Sequence, residues 1–498
     1  MTTPPLGGKT PLATVSNPGL QGPLEWLPGV LACMVNRVLA LVAIVALVTG
    51  CAAPQRNEVF APVKQLVRDQ LGADLYWATN DGDRANIEQR VRELLSKPLA
   101  MDDAVQVALF NHRGLQAAFQ GLGIAQADLV SAGRLPNPGL VIGRKTQGTE
   151  IEIERLFVFN LTRLIVLPRL AELESRRFAQ TQTAVIQEVL RHAAETRKAY
   201  LDAVAAVQTQ RYTRQVMQAA EAGADLARRM EQAGNFNKLQ RAREQGFYAD
   251  ATLNLARAEQ IQRTTRERLS RLLGVWGEQS QFVLPDRLPD LPLSPRELPE
   301  VEQMAVEQRL DVLNAKRAAE QTAQSLGLTR TTRFINVLEL GVAQNAFNDG
   351  PSQRGYEISV ELPLFDWGDS RVAKAEAIYR QALDRAAQAA VAARSEAREA
   401  YGNYRSAYDI ARFQRDEVLP VQRRIAEENL LRYNGMLIGV FELLADARAQ
   451  INSVNQTIEA LRNFWVAHSD LDLALIGKPG LFVPTVPAPM TGSSGATH

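Results

Sequence analysis

The sequence predicts a mainly α protein whose long antiparallel helices are interrupted twice by a pair of short strands. Three observations predict it. The stretch "YEISVELPLFDWGDSRVAKAEA" alternates strictly: Tyr356, Ile358, Val360 and Leu362 face one way, Glu357, Ser359 and Glu361 the other. That is a strand with one apolar and one polar face, and only "PLFDWGD" separates it from an Ala-rich helical run, Ser370 to Asn434. The same plan occurs twice, with landmarks about 200 residues apart. Ala, Gln, Arg, Glu and Leu dominate long stretches and aromatics are only 6%, which favours long helices over a compact mixed core.

The chain has 498 residues, with 56 Lys and Arg against 55 Asp and Glu. The balance, with no basic stripe, argues against nucleic acid as a partner. Four histidines (His112, His192, His468, His498) and two cysteines (Cys33, Cys51) offer neither a metal site nor a disulfide framework. No catalytic constellation is present, and no cofactor is expected. "GLGIAQ" (121–126) resembles a phosphate loop only weakly, since it sits inside a helical segment with no strand before it.

Residues 1–50 read as a targeting region, with Met34 as the true start. Arg37 precedes an apolar run from Val38 to Val48. That run is too short for a spanning helix, which needs about 20 residues, and fits a signal-peptide core. Its ending, Val48-Thr49-Gly50-Cys51, resembles the lipobox of bacterial lipoproteins, which implies acylation of Cys51 and a lipidated segment over 51–97. Ala52 follows the cysteine, and the absence of Asp there points to the outer membrane.

The first copy of the repeat spans 98–277. It opens with a helical segment, 98–133, with Asp102 and Asp103 in its first turn where the helix dipole favours them. "RLPNPGLVIG" gives a break and a strand, and "TEIEIERLFVF" a second strand. After Leu167-Pro168 a helix runs to about Gly234, "GNFNKLQ" breaks it, and a returning helix reaches Gly274. A Pro-rich linker covers 278–299. The second copy, 300–477, has a helix from Glu300 to Leu326, the strand "INVLELGVAQN", the opening strand, the long helix, the break "GMLIG" and a returning helix. Residues 478–498 read as a disordered tail.

A helix of some 64 residues would be about 100 Å long, beyond any globular core. It survives only by packing sideways on partners along its length. The alanines of 370–400 suit close helix approach, and equally simple helix propensity. The strands, nine to eleven residues each, match a tilted crossing of an outer membrane. Open strand edges cannot exist in lipid, and four strands cannot close a barrel. Two copies would give eight strands, three twelve. With apolar faces toward lipid, Glu150, Glu152, Glu154, Glu339, Glu357 and Glu361 point into the lumen, with Arg144, Lys145 or Arg354 as possible pairing partners. Carboxylate rings favour cations.

This organisation resembles the TolC family of outer-membrane efflux channels over nearly the whole mature chain. The residues that carry it are "PLAMDDAVQVALFNHRGLQAAF", "AGRLPNPGL", "ELPLFDWGDSR", and the two turns "AGNFNKLQRAREQ" and "YNGMLIGVFELLADARAQ". The resemblance implies a homotrimer with a twelve-stranded transmembrane β-barrel and a periplasmic α-barrel. It also implies docking to a periplasmic adaptor (membrane fusion) protein and an inner-membrane pump, of RND type given the lipoprotein signal. The expected function is the exit duct of a tripartite pump, not an enzyme. The alternatives are a periplasmic adaptor, which would need flanking β-rich domains, and a passive coiled-coil scaffold lipoprotein.

Two further sites are expected at the far end of the helices. Gly234, Asn235, Phe236, Gly435, Met436, Leu437 and Gly439 cap the hairpins as an adaptor-docking surface or as plain turns. In the helix after the second turn, Glu442 and Asp446 share one face. The resemblance implies an acidic ring there that narrows the entrance, carried by Asp446 and balanced by Arg432; otherwise both carboxylates solvate a surface helix.

Overall fold

A computed structural model of the chain describes residues 56–332, 338–360, 365, 367–435, 437–438 and 440–478. Cys51, Glu361, Met436 and Gly439 lie outside the described residues. Two helices, α1 (Arg56–Leu71) and α2 (Asp81–Leu95), precede α3 (Met101–Asn111) and α4 (Arg113–Ala132). Strands β1 (Gly139–Gln147) and β2 (Glu150–Asn160) lead into α5 (Leu161–Gln232), and α6 (Lys238–Leu273) returns. The second half repeats this order with α7 (Val301–Gln308), α8 (Leu310–Thr332), β3 (Leu338–Phe347) and β4 (Gln353–Val360). It ends with α9 (Asp369–Phe413), α10 (Leu419–Asn434) and α11 (Val440–Ile476). Among the described residues no helix is long and apolar enough to cross a membrane.

The 72 residues of α5 make a rod of about 108 Å. It starts seven residues earlier than the sequence reading placed it. Asn160 caps it, its side chain accepting from the Arg163 amide at 2.8 Å, and Pro168 is carried inside the helix at the cost of one backbone donor. The long helix of the second half is continuous in direction but relaxes into a π turn at Gln414–Val418, just before Pro420. Proline supplies no N–H, and a π turn is a common way to absorb that loss.

Both segments read as single helices are broken. The first breaks at His112 (φ −68, ψ 115), the second at Arg309 (φ −64, ψ 125). Neither break carries proline; tertiary contacts set it. Ala100 stands at the N-cap of α3, which therefore has no side-chain cap, and Asp102 and Asp103 lie in its first turn as expected.

The core lies midway along the long helices. On α9 the buried residues Ala393, Ala397, Ala400, Tyr404, Tyr408 and Ala411 recur at three- and four-residue steps, a seam for a facing helix. The Pro-rich linker is pinned there. The Tyr404 hydroxyl accepts from the Arg296 amide at 2.8 Å, the Tyr408 hydroxyl donates to the Leu293 carbonyl at 2.8 Å, and Trp465 Nε1 donates to the Pro289 carbonyl at 3.0 Å. A buried ion pair, Lys198 Nζ to Asp470 Oδ1 at 2.7 Å, joins α5 to α11.

Candidate functional site

The four strands form one antiparallel sheet in the order β1-β2-β3-β4, so β1 and β4 each leave an unpaired edge. Directly paired residues share a face. Lys145 opposes Glu152, and Gly143 opposes Glu154. Glu152 opposes Phe347, Glu154 opposes Asn345, and Asn160 opposes Glu339. Gly341 opposes Glu357. By this register Glu150, Glu152, Glu154, Glu339 and Glu357 all stand on one face. The other face carries Leu140, Ile142, Ile151, Ile153, Phe157, Phe159, Leu340, Val342, Tyr356, Ile358 and Val360.

The carboxylate face is the more crowded one. A Cβ on Gly341 would lie 2.9 Å from Leu156 Cδ1 and 3.4 Å from Glu357 Cβ, so a larger residue there must displace the end of the Leu156 side chain. Glu154 pairs with Lys145 at 3.0 Å, and Glu152 accepts from Asn345 Nδ2 at 2.7 Å. Of the three cations expected near these carboxylates, only Lys145 shares their face. Arg144 and Arg354 stand on the opposite face, because they fall one residue out of phase. Asn348 ties the two strand-pair turns together, accepting from the Ile151 amide at 2.8 Å and donating to the Thr149 carbonyl at 2.9 Å.

At the opposite end lie the two helix turns. The α5–α6 turn closes with Gly234 in the left-handed region (φ +79), and the Asn235 amide donates to the Met230 carbonyl at 2.8 Å. Asn237 and Gln240 form a reciprocal cap on α6. Gly435 has φ −79, outside the left-handed region, and the Leu437 amide reaches back to the Arg432 carbonyl at 2.9 Å. Leu437 is 78% exposed, while Phe236 is half-buried.

The residues expected at the entrance have these partners within one chain. Asp446 accepts a hydrogen bond from Asn429 of α10, and Asn429 and Arg432 line one groove with Val421, Arg424, Ile425 and Glu428. The Glu442 side chain lies outside the described residues. Sequence reasoning missed the contact beside it. Arg448 of α11 crosses to α6, where its guanidinium lies 4.3 Å from the Phe247 ring centre and 4.0 Å from Glu244 Oε1. Glu244 is 3% exposed, and burial pushes its carboxyl up against the opposing pull of Arg448. A signal was available: Glu244, Ala251 and Ala258 are buried at seven-residue steps, so the carboxylate occupies a seam position otherwise filled by alanine. Among the described residues no cluster of three metal-ligating side chains occurs.

No family model matches the chain, and no curated protein matches it. Solved structures do. A membrane protein from Pseudomonas aeruginosa superposes with a TM-score of 0.66 at 18% identity, covering 75% of this chain and 93% of its own. The open-state MtrE outer membrane channel of Neisseria gonorrhoeae gives 0.64 at 16%, covering 78% and 89%. The CmeC outer membrane channel of Campylobacter jejuni gives 0.62 at 14%, covering 81% and 89%. Identities this low establish architecture, and the likeness takes in three quarters or more of this chain. The chain has the fold of the TolC-family outer-membrane channels.

Proposed function

We propose that this protein is an outer-membrane channel-tunnel that carries small molecules from the periplasm to the outside as the exit duct of a tripartite efflux pump. The observation that carries the reading is a two-faced sheet, open at both edges, that runs directly into helices of about 100 Å. Both edges find partners if β4 of one copy pairs with β1 of the next, and three copies make a barrel of twelve strands. The same threefold arrangement surrounds the long helices with neighbours and makes a periplasmic tunnel of residues 98–277 and 300–477, with the linker 278–299 at its waist. The likeness to solved outer-membrane channels supports the assignment.

The carboxylate face then lines the pore, and the duct prefers cations. The tip turns meet a periplasmic adaptor, with the exposed Leu437 as an apolar contact, and an inner-membrane pump drives transport. The tip is held closed by contacts between neighbouring helices, Asn429 with Asp446 and Glu244 with Arg448. Cys51 anchors the chain by lipid. The direction of α1 supports this: Val59 accepts from Gln182 of α5 at 3.1 Å, and α1 runs on beside Leu190, away from the sheet. Its upstream end is therefore the sheet-proximal one.

Purified protein in planar bilayers tests the reading. Discrete conductance steps with a cation-selective reversal potential are expected. Protein that inserts and never conducts, or that stays monomeric in detergent, would overturn it. Glu244→Gln with Arg448→Ala is expected to raise resting conductance.

A further inference from the structure

The register that gathers the carboxylates also sorts the cations. Arg155 opposes Gln344, and Gln344 opposes Arg354, so three polar side chains stand on adjacent strands about 4.8 Å apart, on the face that otherwise carries apolar residues. Arg144 opposes Ile153 and is a diagonal neighbour of Arg155 on the same face. No described carboxylate stands on that face; all five stand on the other, with Lys145. The three arginines are exposed.

Arg354 lies one residue inside the start of β4, and Arg144 lies three residues before the end of β1. Both are beside the strand-pair turns, at the end of the sheet away from the helices. Arg155 is the middle residue of β2, and its aliphatic stem lets the head reach part of the way toward that end. If the sheet spans a membrane as proposed above, this end meets the outer leaflet. An arginine facing lipid is costly at the bilayer midplane, and the cost fades toward the headgroups. A guanidinium also offers a planar fork that matches phosphate oxygens two at a time.

We infer that Arg144, Arg155 and Arg354, with the Gln344 amide between the last two, form a site on the outward face of the sheet for phosphate-bearing lipid headgroups of the outer leaflet. The site fixes the depth of the barrel at its outer rim, where a purely apolar face would leave the vertical position unspecified. Charge complementarity selects the occupant: three cations with no carboxylate on their face among the described residues, on a face that meets lipid.

Native mass spectrometry of protein reconstituted in mixed phosphatidylcholine and phosphatidylglycerol vesicles, then extracted in detergent, reads the site directly. The parent protein is expected to retain phosphatidylglycerol over phosphatidylcholine by about tenfold. The Arg144→Gln, Arg155→Gln, Arg354→Gln triple variant, and to a lesser degree Arg155→Gln alone, should fall toward parity, while Lys145→Gln keeps the preference. Equal retention of both lipids by the parent, or an undiminished preference in the triple variant, would overturn the site. Loss of the preference on adding inorganic phosphate would show a free-phosphate site and overturn the lipid assignment. The same samples in planar bilayers separate this inference from the channel reading. Normal conductance without lipid preference sinks only the lipid site; absence of conductance in the parent sinks the reading beneath it.

Discussion

The two halves of the chain break their entry helix at the same place and fill the break with opposite chemistry. In the first half, the His112 ring packs on His192 of α5 with centroids 4.1 Å apart. His192 is 3% exposed, and its Nε2 lies 3.0 Å from the Leu272 carbonyl. Asn111, just before the break, donates to the Leu273 and Gly274 carbonyls at 3.3 and 2.6 Å. The last carbonyls of α6, which an α-helix leaves unpaired, are thus received by side chains of α3 and α5. In the second half, Arg309 is fully buried, donates to Asp311 at 2.9 and 2.7 Å, and pairs with Glu396 of α9 at 2.7 Å. The backbone needs a flat polar side chain bridging the break to the long helix. The first half has a histidine pair there and the second an ionic triad, and the two respond differently to substitution and to acid.

The largest effect is expected in the second half. Arg309→Met removes a buried cation from two partly exposed carboxylates, Asp311 and Glu396, and should lower unfolding stability by up to about 3–5 kcal/mol. A loss below about 1 kcal/mol in denaturant melts would show that water replaces the arginine.

Acid should separate the halves next. Burial, reinforced by the neighbouring His112, pulls His192 down from its usual range to about 4. A base whose folded pKa is depressed contributes stability in full above its unfolded value near 6.5, and loses it as pH falls toward 4. The loss approaches about 3 kcal/mol. His112 shifts in the same direction through burial. Melts of the parent and of His112→Phe with His192→Phe, taken across that range, should converge as pH falls. A constant offset would mean that the pair is already charged at neutral pH.

Smaller still is Asn111→Ala, expected to cost about 1–2 kcal/mol and to speed amide exchange in the last turn of α6. The smallest change sharpens the comparison most. Introducing an ion pair, as His112→Arg with His192→Glu, removes the His192 ring nitrogen from the Leu272 carbonyl at a cost of about 0.5–1.5 kcal/mol and should abolish the acid slope. If that variant keeps the slope, the titration belongs to other groups.

The strands were legible because a period of two leaves no freedom. Once Glu357 and Glu150 are known to point one way, every second residue follows, and pairing across strands carries the face around the sheet. The helix start at Leu161 was not legible, because Pro168 is a strong breaker locally and only the cap at Asn160 and the neighbouring helices overrule it. Lone helical histidines gave no sign of a pair, since His112 and His192 meet across 80 residues and on different helices.

The sequence by itself determined the element order and the charge-sorted faces of the sheet. Each follows from local periodicity, which repeats within a few residues and needs no partner to be read. Only the tertiary structure decided where the entry helices break, which residue holds Asp446, and that Glu244 meets Arg448. Those contacts join residues far apart in the chain, and their energy depends on burial that no local pattern encodes. A carboxylate one step along the same helix would be an ordinary solvated charge, whereas at Glu244 it is sealed against an arginine from the other half.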